Sequence, residues 1–217
     1  MTLSDSAREQ MVQQQVRAWD VLDERVLDTF RNVPRERFVP AEHRFLAFAD
    51  TDIPLPHGQH MLRPNLVGRL LQSLELQGSE RVLEIGTGTG FVTACLASRS
   101  AHVRSLEIFP DLADTARTTL ADLRISNVEV VAADATRLET AERYDAIALT
   151  ASLPIRDEQF ERLLAIGGRL FAVVGEPPAM EAWLVRCMAE SVYARESLFE
   201  TVLDPLINAR RPRTFTF

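Results

Sequence analysis

The sequence predicts an α/β fold: a Rossmann-like, mostly parallel sheet with an antiparallel edge strand near the C-terminus and a helical extension at the N-terminus. Three observations carry this expectation. Between residues 66 and 174, short apolar runs alternate with helical patterns, as strands and crossover helices of a parallel sheet do. The run from Val82 to Phe91 reads as a buried strand breaking into a glycine turn that opens a helix. Beyond Trp183 the pattern changes to two extended runs joined tightly, as an antiparallel edge pair would be. At 217 residues the chain fits one compact unit, with residues 1–64 as the helical extension and its loop and residues 65–217 as the sheet domain.

The elements follow in order. Ser6-Ala7-Arg8-Glu9 has the form of a capping box, and Met11, Val12, Val16 and Trp19 then recur at helical spacing. A second helix is expected from Asp23 to about Phe30, with Val26, Leu27 and Phe30 on one face and Pro34 marking its end. Residues 49–64 contain prolines and a glycine but no sustained period, and read as an ordered loop. Leu66, Leu70, Leu71 and Leu74 outline an amphipathic helix. Strands are expected at 81–85, 102–106, 128–132, 146–150 and 169–174, with helices near 91–98, 112–123 and 157–164. Gly167-Gly168 supplies the turn into the last of these strands, and 183–188 and 192–201 form the edge pair.

Composition narrows the function. A net charge of -7 argues against sequence-independent binding to nucleic acid, which relies on cationic surface to release counterions, so no nucleic-acid partner is expected. All 24 basic residues are arginine, a bias that reads as base composition. Cys95 and Cys187 lie far apart, which suggests neither a disulfide framework nor a zinc site, and no histidines or acids show ligand spacing on one element, so no metal is expected. Residues 1–6 lack the features of a signal peptide, and no apolar run approaches the ~20 residues of a membrane helix. A soluble, cytoplasmic protein without membrane association is the expectation.

The glycine spacing selects the ligand class. A dinucleotide fingerprint needs glycine at the first, third and sixth positions, and the sixth counted from Gly86 is Phe91, which disfavours a dehydrogenase. Glu84, two residues before the compact turn Gly86-Thr87-Gly88-Thr89-Gly90, resembles motif I of the class I S-adenosylmethionine-dependent methyltransferases. Glu107, ending the second strand, is placed to accept the hydroxyls of an adenosine ribose. Asp134, after the third strand and beside Ala135, is placed to accept a hydrogen bond from an adenine amino group. Each acid alone has an ordinary alternative, capping the next helix or facing solvent. Together with the turn they describe an adenosine site at the carboxyl edge of the sheet. Thr150-Ala151-Ser152 would face the sulfonium end, with helix capping the alternative for Thr150 or Ser152.

Over nearly its whole length the chain resembles the protein-L-isoaspartate O-methyltransferases. Val26-Leu27 followed by Asn32-Val33-Pro34-Arg35-Glu36-Arg37-Phe38-Val39-Pro40 resembles that family's amino-terminal Val-Pro-Arg-x-x-Phe-Val-Pro signature, which general methyltransferases lack. Further matches are Gly58-Gln59, the 82–90 turn, Tyr144-Asp145-Ala146-Ile147 with Thr150-Ala151, Gly167-Gly168-Arg169-Leu170, and Val174-Gly175. The resemblance implies S-adenosyl-L-methionine as cofactor, bound by Glu84, Gly86, Thr87, Gly88, Gly90, Glu107, Asp134, Ala135 and Thr150. It implies O-methylation of the isoaspartyl carboxylate of a damaged protein or peptide, the start of its repair. Such a carboxylate is ionised at neutral pH, so no general base is required and positioning and desolvation carry the catalysis.

The resemblance breaks in the loop that would hold the acceptor. Family members typically read Gly-Gln-Thr-Ile-Ser-x-Pro there, whereas this chain reads Gly58-Gln59-His60-Met61-Leu62-Arg63-Pro64 and places Leu62 at the serine. The preceding residues are Leu55-Pro56-His57 in place of the family's Ile-Gly-x. Arg63 is a candidate to hold a carboxylate by two parallel hydrogen bonds, and His57 or His60 to donate another or to act as base for a less acidic acceptor; the ordinary alternatives are a solvated or locally paired surface arginine and histidines that hydrogen-bond within the loop. The alternatives to isoaspartyl repair are a methyltransferase of the same fold acting on a small molecule, and a non-catalytic S-adenosylmethionine-binding protein.

Overall fold

A computed structural model of the chain describes residues 3–212. Helix α1 (Leu3–Met11) continues into a π-helical turn, Val12–Val16, and a 3-10 turn, Arg17–Trp19. Because the helix already runs at Leu3, Ser6 to Glu9 lie within it and are not its cap, which corrects the sequence reading. The wider π turn changes the helical period. Met11, Val12 and Val16 are buried as expected, but Trp19 falls off the stripe and is 43 % exposed. In α2 (Glu24–Asn32), Asp23 is the cap, accepting from the Arg25 backbone N–H at 2.9 Å, and Val26, Leu27 and Phe30 are buried. Val33, just before Pro34, leaves the helical region at φ -84°, ψ 114°, as crowding by the proline ring requires.

The 49–64 segment is ordered and carries more regular structure than its sequence shows. Strands β1 (Ile53–Pro54) and β2 (His60–Met61) pair antiparallel around a 3-10 turn, Pro56–Gly58, and are too short to display a period. Helix α3 (Pro64–Leu74) then opens on a proline, whose missing N–H costs nothing at a helix start, and buries Leu66, Leu70, Leu71 and Leu74.

The sheet comprises β3 (Arg81–Ile85), β4 (His102–Glu107), β5 (Val128–Ala132), β6 (Tyr144–Leu153), β7 (Leu164–Glu176), β8 (Ala179–Ala189) and β9 (Val192–Glu200). Their order is β5-β4-β3-β6-β7-β8-β9; the first five run parallel, and β8 is antiparallel to both its neighbours. The crossovers hold α4 (Phe91–Ala97), α5 (Pro110–Asp122) and α6 (Glu158–Glu161). Helix α5 starts at Pro110, earlier than the apolar period from Leu112 suggested. Helix α6 is a single turn, not the run 157–164, because Leu164 already enters β7. Gly167-Gly168 lie inside β7, between the pairs Tyr144–Leu164 and Ala146–Arg169, where the longer strand bulges.

One apolar core joins the amino-terminal helices, α3, α4 and one sheet face through Met11, Phe30, Leu70, Phe91, Val103 and Phe171. A second, under the opposite face, gathers Leu83, Ile147, Phe160 and Leu170. The N-terminal segment therefore shares its core with the sheet, and truncating Leu70 to Ala should cost about 2–5 kcal/mol. No helix among the described residues is long and apolar enough to cross a membrane. Strand β3 has β4 on one side and β6 on the other, so the strand order reverses there and a crevice opens at the carboxyl ends.

Candidate active site

That crevice is a cavity of about 410 Å3. Gly86, Gly88, Glu107, Asp134, Ala135 and Thr150 line it from the sheet; Asp52, His60, Leu62 and Arg63 from the 49–64 segment; and residues 203–207 from the tail beyond β9. A smaller cavity of about 30 Å3 lies between the glycine turn and β2, sharing His60, Leu62, Gly86, Gly88 and Thr150 and adding Thr87.

The sheet side is built on backbone geometry. Gly86 has φ +97°, and a Cβ there would collide with Thr150 Oγ1, which itself donates to the Gly86 carbonyl at 2.6 Å. Thr150 thus seals the turn from β6. Glu107 accepts from the Gly88 N–H at 2.8 Å and the Phe109 N–H at 3.1 Å. A carboxylate offers roughly four lone-pair sites, so capacity for two further donors remains. Asp134 accepts from the Thr136 N–H at 2.9 Å, the Thr136 hydroxyl at 2.7 Å and Asn208 Nδ2 at 2.9 Å. It both caps the 3-10 turn Ala135–Arg137 and lines the cavity. Burial pushes its carboxyl up, but the bonds from Thr136 and Asn208 outweigh this and hold it below the usual carboxylate range.

Three motif residues stand elsewhere than the sequence placed them. The Glu84 side chain is fully buried beneath the turn, its Oε2 accepting from Thr93 Oγ1 and Ser105 Oγ at 2.5 Å each, and it does not line the cavity. Burial pushes its carboxyl up to about 8. Thr87 turns its hydroxyl down to Ser105 at 2.5 Å and reaches only the smaller cavity. Gly90 faces α5, where a Cβ would come within 3.2 Å of the Ala116 Cβ, so it is a packing position. These three brace the turn from behind.

The opposite wall is built from side-chain pairs. His57, at φ +62°, stacks on Phe109 with ring centroids 4.1 Å apart and bonds Asp111 at 2.9 Å, outside the cavity lining. It pins the loop to the start of α5 instead of facing the cavity. His60 does line the cavity, with Nδ1 2.7 Å from Asp204 Oδ2. Leu62 lines both cavities and is 7 % exposed. Arg63 reaches the wall already paired: Nη1 donates to Asp52 at 3.0 Å and Nη2 to Thr201 Oγ1 at 2.9 Å.

The tail residues 203–207, Asp204, Asn208 and Asp52 were not singled out from the sequence. Between the pairs Ala148–Phe171 and Ser152–Val173, four steps on β6 oppose two on β7, and this bulge turns Thr150 and Ala151 into the cavity. It also frees the end of β6 for the tail: the Ser152 N–H donates to the Asp204 carbonyl and the Leu206 N–H to the Ser152 carbonyl, both at 2.8 Å. Ser152 is therefore buried against the tail and neither faces the cavity nor caps a helix. The one sequence signal was Asp204-Pro205 after an extended run, which marks a turn and no more.

Among the described residues no group of three His, Cys, Asp or Glu is arranged to hold a metal ion. A family model described as protein-L-isoaspartate(D-aspartate) O-methyltransferase matches residues 6–202. Protein-L-isoaspartate O-methyltransferase 1 of Rhodopseudomonas palustris is 42 % identical over 203 residues, covering 92 % of this chain and 82 % of the relative. The Methanoculleus marisnigri protein of that name is 43 % identical over 169 residues, 77 % of each chain. The fold is that of a crystal structure of a putative protein-L-isoaspartate O-methyltransferase from Plasmodium falciparum in complex with S-adenosyl-L-homocysteine, with a TM-score of 0.77, 21 % identity, and coverage of 95 % of this chain and 99 % of that one. A glycine turn, two strand-end acids and a facing loop about one crevice, with a family match running from α1 past the end of β9, place this chain in the protein-L-isoaspartate O-methyltransferase family.

Proposed function

We propose that the chain methylates the side-chain carboxylate of isoaspartyl residues in damaged proteins, using S-adenosyl-L-methionine held at the sheet edge and an acceptor wall in which His60 stands in for the missing serine hydroxyl. The observation that carries this reading is the meeting of Gly86, Glu107 and Asp134 with His60 and Leu62 around one cavity. The residues fit the cofactor. Gly86 lines the cavity as bare backbone, Glu107 has acceptor capacity for the ribose hydroxyls, and Asp134 is held anionic for an amino donor. When bound, S-adenosyl-L-methionine supplies an electrophilic methyl group.

On the acceptor side no residue has to remove a proton, because the nucleophile is a carboxylate. What the chain must do is hold it and exclude water. Asp204 fixes the His60 ring through Nδ1, so that Nε2 is the ring nitrogen left to meet the acceptor. Leu62 supplies an apolar wall that keeps water out, which favours a reaction in which opposite charges cancel. Arg63, neutralised by Asp52, shapes the wall more than it attracts anions.

A second reading rests on the same pair. In the tautomer that donates Nδ1–H to Asp204, His60 keeps a lone pair on Nε2, which suits a hydroxyl or amine acceptor on a small molecule. Incubation with methyl-labelled cofactor and a matched pair of peptides, one isoaspartyl and one aspartyl, separates these readings. We expect a base-labile methyl ester on the isoaspartyl peptide alone. Cofactor binding without ester would sink the proposal, and any robust turnover rules out a purely cofactor-binding protein.

A further inference from the structure

The amino-terminal signature contains a buried arginine that does not line the cavity. Arg35 opens the 3-10 turn Arg35–Arg37 and is fully buried, yet among the described residues no carboxylate is bonded to it. Its Nε donates to the Ala47 carbonyl at 2.9 Å and its Nη2 to the Leu62 carbonyl at 2.8 Å. The guanidinium lies over the ring of Phe91, 4.8 Å from its centroid, and Phe91 is the first helical residue after the glycine turn. Burying a cation without a bonded counter-ion is costly, and here burial, opposed in part by the nearby Asp52 carboxylate, lowers its pKa to about 10, which still leaves it charged at neutral pH. A planar fork with five donors and a face that stacks on aromatics meets these three demands at once; an ammonium does not.

The bond to Leu62 acquires meaning from its neighbour. The same peptide unit has its carbonyl, on Leu62, held by Arg35 and its N–H, on Arg63, held by Asp52 Oδ1 at 2.9 Å. Both edges of one peptide plane are clamped, at the residue that lines both cavities. The ring beneath Arg35 ties this clamp to the helix that the glycine turn begins. We propose that Arg35 is a positioning residue for methyl transfer: by fixing the Leu62–Arg63 peptide it sets the acceptor wall at a defined height over the glycine turn.

This inference rests on the acceptor reading above, and its test keeps the two apart. In full-length Arg35→Lys the charge remains but one ammonium cannot serve both carbonyls and the ring. We expect the KM for an isoaspartyl peptide to rise about tenfold and kcat to fall, with the Kd for S-adenosyl-L-homocysteine within about twofold of the parent. Backbone amide exchange should quicken over residues 59–63 and stay unchanged over 82–90. Peptide kinetics within twofold of the parent would overturn the proposal, as would parallel loss of peptide turnover and cofactor affinity, the mark of a merely structural role. Should Arg35→Lys fail to fold, Phe91→Leu, which removes the ring but neither carbonyl bond, decides the matter: the same split at about threefold supports the proposal and no split overturns it. If the parent methylates no isoaspartyl peptide, the acceptor reading fails by itself, and exchange over 59–63 alone judges Arg35.

Discussion

The two walls of the cavity are made in different ways. The sheet wall consists of strand ends, where each functional residue is set by backbone: Gly86 by its dihedral, Glu107 by two N–H donors, Asp134 by the turn that it caps. The facing wall consists of contacts between segments remote in sequence, His60 with Asp204, Arg63 with Asp52 and Thr201, Leu62 with Arg35. The first kind of wall tolerates only the residues that its geometry admits. The second closes the cavity with the apolar side chain of Leu62. Cofactor binding should therefore depend on sheet geometry, and acceptor choice on pairwise contacts that can be altered one at a time.

The largest effect should come from breaking the sheet wall. Gly86→Val places a β-branched residue at φ +97° and drives its side chain into Thr150 Oγ1. Backbone strain alone is worth about 1–3 kcal/mol, and with the clash titration calorimetry should show S-adenosyl-L-homocysteine affinity falling by about a hundredfold or more.

Next is the acid behind that wall. Burial raises Glu84 from an ordinary value near 4.5 to about 8, so between these pH values the native state holds a proton that the unfolded chain releases. The stability this contributes is present in full below about pH 4.5 and is lost as pH rises through about 8. Glu84→Gln removes the ionisation. Its melting temperature should gain on the parent progressively from pH 5 to pH 9, by an equivalent on the order of a few kcal/mol at the top of that range. Homocysteine-product affinity should change little, since Glu84 does not line the cavity. A large loss of affinity would return Glu84 to the cofactor contacts where the sequence alone had placed it.

The facing wall is sharpened by Leu62→Ser. Exchanging a buried leucine for a hydroxyl should destabilise the fold by about 2–3 kcal/mol, measured by denaturant unfolding, while kcat/KM for an isoaspartyl peptide rises a few-fold. A fall in kcat/KM at a temperature where the variant is folded would show that the loop has been rebuilt around another acceptor. The smallest effect should follow Asn208→Ala, which removes one of the donors to Asp134. A lost hydrogen bond of about 0.5–1.5 kcal/mol corresponds to about two- to tenfold weaker binding of S-adenosyl-L-homocysteine.

The same contrast explains what could be read from the chain. Every strand of the sheet was located by its apolar run, and the glycine turn by its spacing, because both obey local periodicities. The roles within the turn were less legible. Glu84, Thr87 and Gly90 are as much part of the motif as Gly86, and nothing in their spacing says that they point away from the cavity. On the facing wall, His57 and His60 are near neighbours in the loop with opposite fates, one stacked on Phe109 and the other bonded to the tail. The sequence distance between His60 and Asp204 is 144 residues, and no local pattern encodes such a pair. Trp19 was misplaced for a related reason, since a π turn shifts the helical period without a signature of its own.

The separability of the two walls is tested most directly at His60. In full-length His60→Ala, kcat/KM for an isoaspartyl peptide and the Kd for S-adenosyl-L-homocysteine should be measured side by side. We expect kcat/KM to fall at least about tenfold, the scale of one charge-assisted hydrogen bond at about 1.5–3 kcal/mol, with Kd within twofold of the parent. Unchanged kcat/KM, or an equal fall in cofactor affinity, would contradict that separability.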